Sequence, residues 1–181
     1  MSNARGLHHY LRCGGIIAYP TESCYGLGCD PQNRLAVQRL LRLKRRPQHK
    51  GLILIASQLA QLKPYLATLN PPQVAQLNKS WPVPHTWLAP AAPNCPVWLT
   101  GRHPTIAVRV TAYQPAADLC RKAGMAIVST SANRSGHKSA RTARECYRLF
   151  GTSVRIMPGR ICKRRKPSTI QDLATGKILR D

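Results

Sequence analysis

At 181 residues, 43% of them apolar, the chain is long enough for one domain with a substantial core and too apolar to be disordered. Its 28 Lys and Arg face six Asp and Glu, a net charge of +22 that implies polyanionic partners or substrates, nucleic acid first, although a basic surface also serves solubility. So few acids leave almost nothing from which to make a carboxylate dyad or a protein-built Mg²⁺ cage; a metal would more readily arrive on phosphates.

Seven cysteines (Cys13, Cys24, Cys29, Cys95, Cys120, Cys146 and Cys162) form an odd, scattered set without a CxxC pair, so a zinc site is not expected. Cys120 and Cys146, at helical spacing beside Leu119 and Leu149, read as small core residues. Without a signal peptide or an apolar run near ~18 residues, the expectation is a soluble cytoplasmic protein with reduced thiols and no membrane association.

In chain order, residues 2–12 predict a short helix carrying Leu7, Tyr10 and Leu11 inward, ended by Gly14-Gly15. Ile16–Tyr19 is a strand closed by Pro20, and Pro20–Asp30 a glycine-punctuated polar loop. Asp30 as N-cap and Pro31 at the first helical position start a helix to about Lys44, with Leu35, Val37, Leu40, Leu41 and Leu43 on its apolar face. Arg42, Lys44, Arg45 and Arg46 at its end suit the helix dipole. Leu52–Ala56 is a buried strand, Ser57 caps a helix through Leu59 and Leu62, and Pro71-Pro72 opens another carrying Val74 and Leu77.

The stretch Trp81–Leu88, with two prolines within four residues, predicts a stiff extended segment that its tryptophans pin to something apolar. Residues 94–104 read as irregular. Thr105–Val110 alternates, with Ile106, Val108 and Val110 on one face and Thr105, Ala107 and Arg109 on the other. That second face suits bidentate capture of a carboxylate or phosphate and equally suits a solvated strand face. Residues 115–122 form a helix stopped by Gly124; Thr142 with Glu145 makes a capping box for a helix carrying Cys146 and Leu149; Val154–Ile156 is a strand. Lys163–Lys166 is the densest basic run, and residues 168–180 predict a hairpin. Helices alternating with strands, closed by a hairpin, predict one α/β domain over residues 1–181 on a mixed sheet.

The most chemically loaded stretch is Ser129-Thr130-Ser131-Ala132-Asn133-Arg134-Ser135-Gly136, which follows the apolar run Met125–Val128. Hydroxyls and an amide at the end of a buried strand offer donors where open α/β sheets collect ligands. The same residues also make a self-capping loop, so the segment alone leaves both readings open.

Six motifs in order break the tie: PTE-x-x-YGLG from Pro20, KRRPQHKGL from Lys44, WPVPHTW from Trp81, TIAVRV from Thr105, STSANRSG from Ser129 and PSTI from Pro167. Together, over about residues 7–180, they resemble the YrdC/Sua5 family of threonylcarbamoyl-AMP synthases, and the length is similar to the short bacterial YrdC (TsaC) type. The resemblance implies a YrdC-like twisted open sheet with flanking helices and a large basic concave cavity. It implies a nucleotidyltransferase that converts L-threonine, bicarbonate or CO₂ and ATP into threonylcarbamoyl-AMP and pyrophosphate. A tRNA threonylcarbamoyltransferase complex would then modify the adenosine beside the anticodon of ANN-decoding tRNAs. ATP is a substrate there, with Mg²⁺ carried mainly by its triphosphate, and tRNA or double-stranded RNA is a further partner.

By the same resemblance Lys44 and Arg46 hold phosphates as the catalytic pair, assisted by Lys50. Thr21, Tyr25, Arg109, Ser129 and Ser168 surround threonine, while Thr105, Ser131, Asn133 and Ser139 line the nucleotide. Residue patterns alone point to Thr105, Arg109 and the 129–133 stretch, but would leave Lys44 and Arg46 as dipole compensation and Ser168 as a turn residue. Three positions depart from the family pattern: Ser23 for Thr, Gly51 for Pro and Val83 for Gly. A valine in place of a glycine at positive φ would be strained. The competing expectation is an RNA-binding or ribosome-maturation module that uses the same basic concavity without turnover.

Overall fold

The computed structural model describes residues 4–162 and 167–180. The basic run Lys163–Lys166 lies outside the described residues. In order come α1 (Ala4–Arg12), β1 (Ile17–Pro20), β2 (Tyr25–Gly28), α2 (Arg34–Lys44), β3 (Ile53–Ala56) and α3 (Pro71–Ser80). Then follow β4 (His85–Pro90), α4 (Val97–Thr100), β5 (Thr105–Val110), α5 (Gln114–Ala123) and β6 (Ile127–Ser131). The chain closes with α6 (Ala143–Phe150), β7 (Arg155–Ile156), β8 (Thr169–Asp172) and β9 (Ile178–Arg180).

Among the described residues the strands join one nine-stranded sheet in the order β7-β1-β2-β6-β3-β5-β4-β8-β9. It is mixed, as the sequence predicts: β1/β7, β3/β5 and β4/β8 run parallel and the other pairs antiparallel. At its centre β6 serves two neighbours. Ile127–Ser129 pairs with β3, and Thr130-Ser131 pairs with Leu27 and Gly26 of β2.

Strand alternation sends side chains into two cores. Ala18, Leu27, Leu54, Val108 and Val128 pack with Val37 and Leu40 of α2, Leu77 of α3, and Cys146 and Phe150 of α6. On the opposite face Ile17, Tyr19, Ile55 and Ile127 pack with Leu7 and Leu11 of α1 and with Ala116, Leu119 and Cys120 of α5. Each fully buried aliphatic side chain contributes roughly 1.5–3 kcal/mol. Trp81 and Trp87 join the first core, their indole N–H groups donating to His85 O (2.9 Å) and Ser80 Oγ (2.8 Å).

Several predicted details give way to stronger local contacts. Pro20–Asp30 is a β-hairpin, because Tyr25–Gly28 finds both β1 and β6 to pair with. Asn33, not Asp30, caps α2, accepting from Ala36 N at 2.9 Å; Asp30 instead accepts from Gln32 N at 2.8 Å and pairs with Arg12 at 3.1 Å. The later start turns Leu35 out to solvent. Ser57 caps no α-helix: its hydroxyl donates to Gln61 Oε1, and two 3₁₀ turns (59–61 and 63–65) replace the predicted helix around Pro64. Residues 97–100, expected to be irregular, form α4. Ser129–Ser131 is strand rather than loop. Thr142 caps α6, but Glu145 reaches the N–H of Arg141 instead of closing the box on Thr142; Phe150 rather than Leu149 is buried.

Candidate active site

Helices α1 and α5 cover only part of their sheet face. Ile55 and Ile127 lie beneath them, whereas Ile53 and Ser129, two residues away on the same faces of β3 and β6, line an open cavity of about 550 Å³. The cavity lies over the neighbouring strands β2, β6, β3 and β5, through Gly26, Ser129, Ile53 and Arg109. Its rim comes from the β1–β2 turn (Thr21–Cys24), Arg46, Lys138–Arg141, Ser168 and Arg180. Gly26 lets this wall close up, since a Cβ there would sit 3.1 Å from Thr21 Cγ2 and 3.2 Å from Tyr19 Cζ.

The floor carries two directed hydroxyl contacts. Burial pushes the Tyr19 phenol well above its ordinary range, so it stays protonated and donates to Ser129 Oγ at 2.7 Å. Ser131 Oγ donates to Asn133 Oδ1 at 2.7 Å. Beneath them Lys44, 2% exposed at the end of α2, gives its ammonium to Ser131 O, to Asn133 O at 3.0 Å and to Asn133 Oδ1 at 2.9 Å. Burial, then the neighbouring Arg46 guanidinium, pull that ammonium down to about 8.

Two arginines rise from the other side. Arg109 is 8% exposed; its Nη2 lies 3.5 Å from Glu22 Oε2, and its buried Nε has no hydrogen-bond partner. Glu22 also accepts from Thr111 Oγ1 at 3.1 Å. Arg180 donates to Ser168 O through Nε (3.1 Å) and Nη2 (2.8 Å), and Nη2 also reaches Ser168 Oγ at 3.2 Å. Ser168 Oγ is further held by Thr86 Oγ1 at 2.9 Å. Burial, followed by Arg109, lowers the Arg180 guanidinium from its ordinary value. Among the described residues the cavity is lined by Arg46, Arg109, Lys138, Arg141 and Arg180 and by one acid, Glu22. It is built to take anionic oxygens. The donor set does not fit a protein-built Mg²⁺ site, which needs several oxygen ligands, since the cavity offers one carboxylate and sets it beside the Arg109 guanidinium.

Of the residues expected at the site, Thr21, Arg46, Arg109, Ser129, Ser131, Ser139 and Ser168 line the cavity. Tyr25 does not: it is fully buried in the first core, its hydroxyl donating to Gly159 O at 2.7 Å. Lys44 and Asn133 are turned to each other beneath the floor, and neither the exposed Lys50, whose main-chain oxygen faces Arg46, nor Thr105 at the start of β5 lines the cavity. Sequence reasoning missed Glu22, Lys138, Arg141 and Arg180. The signal for Glu22 was its isolation as an acid inside a polar turn; Arg180 carried none, because only strand pairing brings the end of the chain beside Ser168. Val83 has no positive φ: among the described residues Arg45 (φ 50°) is the one non-glycine there. Gly51 does need its freedom, at φ 61°, which a proline ring cannot adopt.

A second, shallower groove of about 470 Å³ lies along α2, lined by Arg39, Arg42, Leu43, Arg45, Arg134 and Ser153 without an acid.

A mixed sheet that holds an arginine-walled, hydroxyl-floored cavity on one face defines an α/β protein made to bind small polyanionic substrates. The chain belongs to the Sua5/YciO/YrdC family, whose model, described as "Telomere recombination", matches residues 9–181. A protein of Methylobacillus flagellatus named threonylcarbamoyl-AMP synthase is 60% identical over 177 residues, 98% of either chain. One of the same name from Thiobacillus denitrificans is 59% identical over 97% of this chain and 93% of its own. Among solved structures, P. abyssi Sua5 complexed with L-threonine superposes with a TM-score of 0.85 at 29% identity, over 93% of this chain but 50% of that one, so this chain spans half of that longer protein. E. coli YciO gives 0.81 at 26% identity, over 98% and 89%.

Proposed function

We infer that this chain is an L-threonylcarbamoyladenylate synthase, joining L-threonine, bicarbonate or CO₂ and ATP into threonylcarbamoyl-AMP with release of pyrophosphate. What carries the reading is 60% identity, over 98% of this chain, to a protein of that name, in a chain whose main cavity is walled, among the described residues, by five cations and one acid. In this reading Arg109 takes the threonine carboxylate, with Thr21, Ser129 and Ser168 around the side chain. Arg46, Lys138 and Arg141 take the phosphates, and Ser131 and Ser139 border the nucleotide. Every reacting group is an anion or becomes one, so fixed cations and aligned donors supply the catalysis by holding carboxylate and α-phosphorus together and stabilising the charge that develops. Mg²⁺ would enter as part of the ATP substrate. Lys44 acts beneath the site, fixing the 131–133 backbone, rather than on phosphate directly.

The test is pyrophosphate release from ATP with mass spectrometry of the product. Release that depends on threonine and bicarbonate together, with an adenylate of the expected mass, supports the reading. Threonine-independent release rejects it.

A single cytoplasmic domain that delivers its product to a tRNA threonylcarbamoyltransferase complex completes this reading. An RNA contact has its own observation behind it, the acid-free groove of Arg39, Arg42, Arg45 and Arg134. Its spaced guanidinium groups suit a phosphate backbone and lie outside the lining of the cavity.

A further inference from the structure

We propose that Glu22 and Arg109 form a receptor for the amino-acid zwitterion, in which Arg109 takes the α-carboxylate and Glu22 takes the α-ammonium and then its proton. The proposal rests on the synthase reading and adds a residue and a step to it. Three features of the pair lead there.

The first is geometry. At 3.5 Å the Arg109–Glu22 contact is longer than a charge-assisted hydrogen bond, roughly 2.7–2.9 Å, so neither partner is saturated. Arg109 Nε is buried without an acceptor. Thr111 occupies Glu22 Oε1, which leaves Oε2 for a second donor. The second is burial: the two side chains are only 9% and 12% exposed. A charge that enters such a place unpaired is heavily penalised. A zwitterion brings one charge of each sign, satisfies both partners and leaves the local balance unchanged. A hydroxy acid satisfies Arg109 and leaves Glu22 facing an uncharged group. The third is chemistry. The amino nitrogen must shed a proton before it can bond to CO₂, and among the described residues lining the cavity Glu22 is the one carboxylate. The hydroxyls nearby are weak bases, and the Tyr19 phenol is a donor to Ser129.

The step balances simply. An N–H bond of the ammonium breaks, its electron pair stays on nitrogen, and the proton forms an O–H bond on the Glu22 carboxylate. The nitrogen lone pair then forms the N–C bond to CO₂, one C=O π pair moves to oxygen, and a second N–H proton leaves to solvent. The carbamate that results is anionic and stays among the cavity's cations.

The experiment compares L-threonine with 3-hydroxybutyrate, the same skeleton without the amine, by titration calorimetry on the wild type, Glu22→Gln and Glu22→Asp, alongside pyrophosphate release. Loss of a charged hydrogen bond to the ammonium should weaken L-threonine binding to Glu22→Gln by about tenfold or more. Binding of 3-hydroxybutyrate should not weaken, and ATP binding should stay within about twofold. The turnover deficit of Glu22→Gln at saturating threonine should shrink as pH rises, because free amine then arrives unaided. Glu22→Asp keeps the charge and should keep the preference for threonine. Equal weakening of both ligands would make Glu22 a mere tether for Arg109 and overturn the proposal, as would unchanged threonine affinity. A wild type that neither binds threonine nor releases pyrophosphate would instead reject the synthase reading itself, and this proposal with it.

Discussion

The Lys44 ammonium and Asn133 are joined twice, through the Asn133 main-chain oxygen at 3.0 Å and its side-chain oxygen at 2.9 Å, and the same ammonium donates to Ser131 O. A cation at the end of a helix thus fixes the backbone of a distant strand end, which presents Ser131 to the cavity. Removing the ammonium takes a charged donor from all three oxygens, leaving Asn133 Oδ1 only the Ser131 hydroxyl and Ser131 O only the Asn133 N–H. Lys44→Met should cost about 3 kcal/mol of stability, read from urea unfolding. It should also raise the KM for ATP, because the 131–133 backbone is released. A variant as stable as the wild type would show that the ammonium is not needed there.

The same group predicts a pH effect. Burial lowers the Lys44 ammonium to about 8 from an unfolded value near 10.5. Below about pH 8 both states carry the proton; between about 8 and 10.5 only the unfolded chain does, so this group's contribution to stability rises with pH across that window. Activity should move the other way, because a neutral amine cannot give three protons to three acceptors. NMR of the Lys44 side chain should show a midpoint near 8 that coincides with the alkaline fall in kcat/KM and is absent in Lys44→Met.

Gly51 occupies φ 61°, and its N–H donates to Gln48 O at 3.3 Å while its carbonyl accepts from Arg46 Nη2 at 3.0 Å. Installing the family's proline, Gly51→Pro, would forbid that φ and delete the N–H. It should destabilise the protein by about 3 kcal/mol and misplace Arg46. Thermal melts and the KM for ATP report both effects. A neutral or stabilising outcome would mean that this loop can switch to a proline-compatible path.

If the α2 groove holds RNA phosphates, Arg42→Glu should weaken binding of a tRNA transcript and lower the slope of log K against log salt by about 1. Pyrophosphate release should be unchanged, since Arg42 lies outside the cavity. An unchanged slope would remove the groove from consideration.

Strands β1, β3, β5 and β6, the mixed sheet and the closing hairpin are readable because their apolar runs and turn residues are local signals; β2, inside a polar segment, is not. Tyr25 shows where local reading ends. The family resemblance puts it on the threonine wall, yet β2 pairs on both sides, which buries the ring and sends its hydroxyl to Gly159. Asp30 reads as the cap of α2 from the sequence; the Arg12 pairing claims it and leaves the cap to Asn33. Arg109 was visible as a lone charge on a strand face. Glu22 and Arg180 were not, because their roles depend on residues 87 and 12 positions away.

The double pairing of β6 has a kinetic consequence. Ser129 is aligned by Ile53 and Ser131 by Gly26, so the cavity floor exists only once segments far apart in the chain have met. Such contacts close costly loops and form late. Recovery of substrate binding during refolding should therefore lag behind helix formation, which makes threonine affinity a gauge of whether the last long-range pairings have been made.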